Sequence, residues 1–377
     1  MAGETNDDPW AHLAALRTRG PVVWNETGGY WVASHHAPVH DASVRPEIFS
    51  SGKGILVFEI GHEYPSPPTM MHTDPPDHTR YRALVQPCFR PSLMKRLEDQ
   101  MHVYVADLID AMPVGSPVDV VDALTVRFPI FVICDLLGLD ISRWQEVFRW
   151  SEASIPGASE MSLEERGAVQ VTMITELLKT VAHKRQHPGD DVLSLLGDSG
   201  LTDQEIAMFG VQLITAGNET TRNSLSGGLV ALAANPDQWQ RLYDDSSLVS
   251  PAVEEILRWT TPVVYFMRTA VVDTELSGVS IAAGDPVVLL YSSANRDESV
   301  FGANAGRFDV SRSPNPHLAF GFGPHFCIGA SLARLEIRVV LDELRRRFST
   351  VELAGEVEHT RSAIIAGIRH APLKFNA

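Results

Sequence analysis

A cysteine near the end of the chain lies among glycines that could give its sulfur room to bind a metal. In the segment FGFGPHFCIG at residues 320–329, glycines at positions 321, 323 and 329 surround Cys327, and a helix is predicted to begin just after it. Glycine lets backbone amides approach the sulfur closely, and the positive end of a helix dipole favours the thiolate. The segment therefore predicts a metal-bound thiolate at Cys327. The alternative is a buried cysteine in a glycine-rich turn, the more common role of a lone cysteine.

An acid and an alcohol stand side by side in a second segment, AGNETT at residues 216–221. Glycine and threonine are poor helix formers, and a threonine hydroxyl can bond back to a carbonyl of the preceding turn. The segment nevertheless lies inside a long apolar helical pattern, and a local conflict of this kind usually marks a functional site. Glu219 and Thr220 are therefore candidate functional residues. An exposed polar turn is the alternative.

Two further pairs of residues have helical spacing. Glu255 and Arg258 are three apart and form an ion pair on one helix face, worth only about 0.2–0.5 kcal/mol where such a pair is exposed. His78 and Arg82 are four apart and present two hydrogen-bond donors to an anion. Taken alone, each pair has an ordinary alternative as part of a solvated surface.

The order and spacing of these four segments resemble the cytochrome P450 monooxygenases, in particular their soluble, bacterial, class I-like branch. The resemblance implies that Cys327 is the proximal ligand of the haem iron and that the cofactor is haem b. It implies that Glu219 and Thr220 are the catalytic pair that delivers protons to bound O2. The structural cluster of the family corresponds here to Glu255, Arg258 and Arg307.

The resemblance also assigns contacts around the cofactor. Haem carries two propionates, and the family holds them with hydrogen-bonding and positively charged side chains. The matching residues here are His78, Arg82, Arg268 and His325. The other implied cofactor contacts are Ala216, Gly217, Phe320, Gly321 and Gly329.

The resemblance predicts a substrate pocket with apolar walls, and an apolar pocket selects a hydrophobic small molecule. Both steroid or terpenoid lipids and natural-product intermediates, such as polyketides or peptides, stay open as substrates. The predicted pocket residues come from a proline-rich loop, the long helix, the segment after the Glu255 helix, and a C-terminal turn. They are Phe58, Ile60, Met70, Leu213, Val263, Val264, Phe266, Ile364 and Ile365.

A thiolate ligand favours O–O cleavage at haem iron, whereas a neutral histidine favours reversible O2 binding. The expected reaction is therefore insertion of one oxygen atom of O2 into a C–H or C=C bond. A peroxide-driven enzyme, an isomerase, and a non-catalytic haem sensor or carrier are the alternatives. None of the three needs a proton-relay pair, so the presence of Glu219 and Thr220 counts against them.

The chain has no flavin or iron–sulfur motif, so the electrons are expected to come from a ferredoxin-type donor with an NAD(P)H-dependent reductase. Basic residues cluster in the sequence near the His78 helix and after Cys327, which predicts a docking patch for an acidic partner. A scatter of solvated arginines is the alternative. The residues of the predicted patch are Arg80, Arg90, Lys95, Arg96, Arg334 and Arg338.

These segments imply a mainly α fold with small β-sheets, built as one haem-centred domain over residues 1–377 around a long central helix. A β-rich portion is expected at about 20–60, including a hairpin of strands at 21–24 and 30–33, and a helical core at about 78–260. Thr202 and Glu205 form a capping box that starts the central helix, and Asn235-Pro236 stops it. Sheets and the cysteine loop follow at about 262–329, and a final helix and strands at 329–377.

Composition excludes several classes of protein. Of the 377 residues, 31 are Lys or Arg and 47 are Asp or Glu, and the formal charge of −16 argues against nucleic-acid binding. Three widely spaced cysteines cannot form a disulfide framework, so a reducing cytoplasm is the expected location. No apolar stretch reaches the roughly 18 residues that a membrane-spanning helix needs, so we expect no membrane anchor. A monomer is the expected oligomeric state.

Overall fold

The computed structural model describes residues 9–61, 69–155 and 159–377. Helices dominate the described chain, and the predicted fold class, mainly α with small sheets, is confirmed. The helices are α1 (Trp10–Thr18), α2 (His36–Ser43), α3 (Asp77–Val85), α4 (Pro91–Asp110), α5 (Arg127–Leu137), α6 (Trp144–Ser154), α7 (Leu163–Gln186), α8 (Val192–Gly197), α9 (Asp203–Ala234), α10 (Pro236–Asp244), α11 (Val249–Thr260), α12 (Tyr291–Ala294), α13 (Glu298–Phe301) and α14 (Ala330–Arg347).

Twelve short strands form four small sheets in the described ranges. The largest has the order β1-β2-β8-β5-β3; β2 and β8 run parallel, and the other neighbours run antiparallel. A second sheet has the order β4-β12-β9, and β6-β7 and β10-β11 are two-stranded. The strands are β1 (Val22–Asn25), β2 (Tyr30–Ala33), β3 (Phe49–Ser50), β4 (Pro117–Asp119), β5 (Phe266–Ala270), β6 (Thr274–Leu276), β7 (Val279–Ile281), β8 (Pro286–Leu289), β9 (Thr350–Leu353), β10 (Glu358–His359), β11 (Ile368–His370) and β12 (Pro372–Asn376).

The central helix α9 has the boundaries that its capping residues predict. The hydroxyl of Thr202 accepts a hydrogen bond from the N–H of Glu205 (3.2 Å), and the Glu205 carboxylate accepts one from the N–H of Thr202 (2.8 Å). Asn235 ends the helix, and Pro236 begins the next one. With 32 residues and a rise of about 1.5 Å per residue, α9 is about 48 Å long.

The hydrophobic core surrounds α9. Helices α5, α6, α7 and α11 pack against it, and their buried apolar residues join those of α4, α14 and the C-terminal strands in one large cluster. A separate cluster lies on the N-terminal sheet and includes Phe49 and Val287. Because α9 is held on several sides, its polar middle segment has a fixed position inside the protein.

The predicted proline-rich loop before α3 is only partly described, because residues 62–68 lie outside the described ranges. A single 3₁₀ turn, Met70–His72, precedes α3. The description of the chain as one domain stays a prediction.

Candidate functional site

A cavity lies between the middle of α9 and the segment before α14, with an empty volume of about 1490 Å³ including its opening to solvent. Residues from three of the four chemical segments meet there, although they lie far apart in sequence. The Glu255 cluster is outside the lining. The lining includes every predicted cofactor contact: Cys327, His78, Arg82, Ala216, Gly217, Arg268, Phe320, Gly321, His325 and Gly329.

The cysteine loop depends on glycine for its path. Gly321 and Gly323 have φ values of +66° and +71°, which side-chain-bearing residues rarely adopt. A Cβ on Gly323 would lie 2.3 Å from the carbonyl oxygen of Ser43, so α2 leaves no room for a side chain. The N–H of Cys327 donates to the carbonyl of Phe320 at 3.0 Å, which closes the loop.

The loop presents Cys327 to the cavity just before α14. Its side chain is accessible from the cavity, whereas Cys88 and Cys134 are buried. Loss of bulk water raises the pKa of the Cys327 thiol, while the backbone N–H of Gly329 and the charges of Arg82 and Arg334 oppose that rise. The surroundings thus offer a hydrogen bond and positive charge to the sulfur but need a further cation, such as a metal ion, to hold the thiolate.

One edge of the cavity gathers four basic side chains. The rings of His78 and His325 lie 4.2 Å apart, and Arg82 donates to the carbonyl of Phe326 at 2.8 Å. Arg268 is only 5% exposed, and Nε2 of His78 is buried without a hydrogen-bond partner among the described residues. The site therefore has donors in excess of its acceptors.

The electrostatics of this edge favour an anion. Burial and the neighbouring charges of Arg268, His78 and Arg82 lower the pKa of His325 to about 3. Burial, reinforced by Arg82, also lowers the pKa of His78. Such shifts report a local excess of positive charge, which a ligand with carboxylates would neutralise.

Thr220 and Glu219 lie on different sides of the cavity wall. Thr220 lines the cavity, and its hydroxyl donates to the carbonyl of Ala216 at 2.6 Å. Glu219 is fully buried outside the lining, where its Oε2 accepts from Arg222 (2.8 Å) and Asn223 (3.2 Å). Its Oε1 has no hydrogen-bond partner in the described chain, and burial raises the pKa of this carboxyl.

The prediction that Arg307 completes the Glu255 cluster is wrong. Glu255 accepts from Arg258 at 2.7 Å, and the second guanidinium on its Oε2 belongs to Arg312, at 3.0 Å. The side chain of Arg307 is exposed, and its main-chain carbonyl accepts from Arg258 and Arg312. Arg307 precedes Phe308 and matches the family pattern in sequence, whereas the contact with Glu255 depends on how the chain turns.

The nine predicted substrate-wall residues lie partly inside and partly outside the cavity lining. Met70, Leu213, Val263 and Phe266 line the cavity. The other five predicted residues are not in its lining. Phe58 is 47% exposed, while the rest belong to a separate hydrophobic cluster that also includes the lining residue Val263: Ile60, Val264, Ile364 and Ile365.

Sequence reasoning missed five polar residues of the lining: Gln212, Thr221, Ser224, Tyr291 and Glu336. Glu336 is 2% exposed, and burial raises the pKa of its carboxyl well above the ordinary value. A glutamate within an otherwise apolar helix stripe was the available signal, since Leu332, Leu335 and Val339 are buried around it.

Fold and site together are those of a haem-thiolate protein, and comparison with known proteins gives the family. The cytochrome P450 family model matches residues 168–366. Linalool 8-monooxygenase of Pseudomonas putida is 34% identical over 97% of this chain and 95% of that enzyme. Methyl-branched lipid omega-hydroxylase of Mycobacterium bovis is 36% identical, over 97% and 90% respectively.

Solved structures agree with these sequence relatives. The crystal structure of CYP109E1 from Bacillus megaterium in complex with corticosterone has a TM-score of 0.88 and 29% identity, and the match covers 100% of both chains. The chain therefore belongs to the cytochrome P450 family of monooxygenases, whose members are haem-thiolate enzymes.

The residues of this chain fit that cofactor. The unpartnered Nε2 of His78 and the uncompensated charges of Arg82 and Arg268 suit the two propionates, and Cys327 suits the iron. Among the described residues, no helix is long and apolar enough to span a bilayer.

Proposed function

We propose that this cytochrome P450 inserts one oxygen atom of O2 into a C–H or C=C bond of a lipid-like molecule of the terpenoid, steroid or branched-chain type. The apolar lining of the cavity supports this proposal, since Met70, Phe209, Leu213 and Phe266 offer hydrocarbon surface to a ligand. Linalool, methyl-branched lipids and corticosterone appear in the names of its relatives, and all three are largely hydrocarbon.

The observation that carries the proposal is the single cavity shared by Cys327, the four basic side chains and Thr220. Haem bound there through the Cys327 thiolate supplies O2 activation, because the thiolate pushes electron density toward the iron. The chain holds the ligand sulfur with the Gly329 N–H and with the charges of Arg82 and Arg334.

Thr220 and Glu219 are proposed to handle the protons that the reaction consumes. Thr220 lines the cavity, and its hydroxyl, which donates to the Ala216 carbonyl, could turn to donate a hydrogen bond into the cavity instead. Glu219 stands next to it in the helix as a proton reservoir, with one unpartnered oxygen and a raised pKa that keeps it easily protonated. Arg222 and Asn223 hold its other oxygen and set its resting position.

Electrons are proposed to come from a ferredoxin-type donor at the face nearest Cys327. The structure limits the charge of the predicted docking patch, because four of its arginines already pair with carboxylates: Arg90 with Asp190, Arg96 with Asp135, Arg334 with Glu254 and Arg338 with Glu98. Docking there therefore requires acidic groups of the partner to compete with this protein's own carboxylates for the four arginines. Reduction rates should fall as ionic strength rises, and rates that do not respond would contradict docking by charge.

The absorption spectrum of the reduced, CO-bound holoenzyme tests the ligand assignment. The main band should be strongly red-shifted in the wild-type protein and should lose that shift in Cys327→His, whereas the buried-cysteine control Cys134→Ser should keep it. A wild-type protein without the shifted band would refute the haem-thiolate site.

A second measurement tests the oxygen chemistry. Thr220→Ala should still bind substrate but release hydrogen peroxide in place of product, so that less product forms per electron consumed. Undiminished product per electron would remove Thr220 from the mechanism.

A further inference from the structure

Two consecutive methionines lie in the wall of the cavity. Met70 and Met71 belong to the 3₁₀ turn that precedes α3, and both are lining residues that keep part of their surface exposed. Thr220 and Cys327 line the same cavity. The two methionines therefore border the compartment in which O2 is proposed to react.

The other methionines of the described chain are not lining residues. They fall into two groups by exposure. The core methionines are at most 6% exposed, and the outer methionines are partly exposed elsewhere on the protein. The core group is Met101, Met112, Met173 and Met267, and the outer group is Met94, Met161 and Met208. The chain thus carries its own controls for any chemistry confined to the cavity.

A thioether reacts with hydrogen peroxide, and the product is methionine sulfoxide. The sulfur lone pair attacks one peroxide oxygen, the O–O bond breaks, an S–O bond forms and the second oxygen leaves as water. The thioether loses two electrons and the peroxide gains them, so the step balances without another oxidant. The peroxide arises when O2 takes up two electrons from the electron donor and two protons but leaves before a substrate is oxidised.

Oxidation at this turn would change the character of the wall. Met70 packs against the main hydrophobic core, and Phe209 and Leu213 of that core also line the cavity. A sulfoxide replaces an apolar, flexible side chain with a polar one. An S–O dipole beside a hydrocarbon ligand has no donor to satisfy it, so the ligand binds less tightly.

We propose that Met70 and Met71 are oxidation sites of this enzyme: hydrogen peroxide released in the cavity converts them to methionine sulfoxide and thereby weakens the binding of hydrocarbon ligands. This inference goes beyond the proposed monooxygenase function but rests on it, because the peroxide comes from O2 reduced at the haem-thiolate site. Methionine sulfoxide reductases with a dithiol reverse the change: the sulfoxide oxygen leaves as water, and the dithiol becomes a disulfide.

Peptide mass spectrometry of the holoenzyme tests where oxidation occurs. Wild type and Thr220→Ala are supplied with electrons by a surrogate ferredoxin system, without substrate and with catalase, which destroys peroxide that reaches the solution. Met70 and Met71 should gain oxygen, more so in Thr220→Ala. Met161 and Met208 should stay protected by catalase, and the core methionines Met101, Met112, Met173 and Met267 should stay unmodified.

Two outcomes of this experiment would overturn the proposal. One is oxidation of Met70 and Met71 no greater than that of Met161 and Met208 in the presence of catalase. The other is a holoenzyme that, without catalase, consumes electrons and forms no peroxide. The red-shifted CO band recorded before turnover shows that the haem-thiolate site is intact, so either failure differs from failure of the proposed function.

Optical titration with clotrimazole, an apolar azole that ligates haem iron, tests the effect on binding. After peroxide-forming turnover the wild-type protein should bind it roughly 5- to 100-fold more weakly than before, and sulfoxide reductases with dithiothreitol should restore the affinity. The double variant Met70→Leu/Met71→Leu lacks both thioethers, so its affinity should be the same before and after turnover.

The matched control Met161→Leu/Met208→Leu should lose affinity as wild type does. An equal loss in Met70→Leu/Met71→Leu would place the damage elsewhere and would overturn the proposal.

Discussion

Two buried Glu-x-x-Arg pairs in the described chain have the same spacing but differ in the hydrogen bonds of their glutamates. One glutamate has partners on both carboxylate oxygens, and the other has partners on one. In α11, Glu255 accepts from Arg258, Arg312, Asn315 and the N–H of Asp309, so both of its oxygens are used. In α9, Glu219 accepts from Arg222 and Asn223 on one oxygen, and the other has no partner among the described residues.

The difference separates a structural pair from a reactive one. A buried carboxylate whose acceptor sites are filled has a structural role, because its removal would leave two guanidinium groups without a counter-charge in the interior. A buried carboxylate with an open oxygen can take or release a proton at little structural cost. The same Glu-x-x-Arg pattern is thus structural in α11 and reactive in α9, and the difference lies in the residues that surround each glutamate.

The largest expected effect comes from making the same substitution at both sites. Glu255→Gln should lower the free energy of unfolding by about 3–5 kcal/mol, because Arg258 and Arg312 lose their counter-charge in the interior. Glu219→Gln should lower it by about 1 kcal/mol, since glutamine mimics the protonated acid and keeps the bonds from Arg222 and Asn223. Chemical denaturation of the holoenzymes measures both, and equal losses would contradict the distinction.

The two substitutions should affect turnover in the opposite order, with the larger loss in Glu219→Gln. Glu219→Gln should reduce product formation roughly 10²-fold, because glutamine cannot exchange a proton with Thr220. The solvent deuterium isotope effect on turnover should rise in the same variant. Glu255→Gln, assayed below its unfolding temperature with a surrogate ferredoxin system, should keep near-normal turnover per folded enzyme. A comparable fall in turnover in Glu255→Gln would contradict the distinction between a structural and a reactive glutamate.

A smaller effect distinguishes the two arginines of the α11 cluster. Arg312→Ala should destabilise the protein by about 1–3 kcal/mol, because it removes a donor to a buried carboxylate. Arg307→Ala should change stability by no more than about 0.5 kcal/mol, since the exposed side chain is lost but the main-chain carbonyl remains. Thermal unfolding of the two variants measures the difference. A larger loss of stability in Arg307→Ala than in Arg312→Ala would show that the Arg307 side chain belongs to the cluster.

The smallest effect is a dependence on pH. Burial raises the pKa of Glu219 above its ordinary 4.5, so the folded protein binds a proton that the unfolded chain releases. The contribution of this group to stability is therefore complete below about pH 4.5 and is lost as pH rises toward the folded pKa. Glu219→Gln lacks this loss, so its stability relative to wild type should rise with pH. A constant difference between pH 4 and 8 would show an unshifted pKa.

Local sequence predicted the elements whose cause is local. The Thr202 capping box and Asn235 give the ends of α9 correctly, and the N-terminal hairpin forms with Val22 opposite Ala33, because caps and tight turns involve residues close in sequence. The cysteine loop is local for the same reason. Its glycines and the Gly329 N–H beside the Cys327 sulfur lie within the ten-residue segment, whereas the charges of Arg82 and Arg334 come from outside it.

Contacts across long separations were less predictable. Arg307 and Arg312 are equally good partners for Glu255 in the sequence, and only the path of the chain between α13 and the cysteine loop decides for Arg312. Ile364 and Ile365 are apolar residues predicted for the substrate pocket, yet they lie outside the cavity lining, in a separate hydrophobic cluster.

The sequence by itself determined the chemistry of this protein: a thiolate ligand, an acid beside an alcohol, and basic side chains in an order that belongs to one family. Residue type and local spacing carry that information, because reactivity resides in the groups themselves. Only the tertiary structure decided which groups meet and which oxygen of a buried acid stays open. Those depend on packing between distant segments, and the same spacing, as at Glu219 and Glu255, has different consequences in different surroundings.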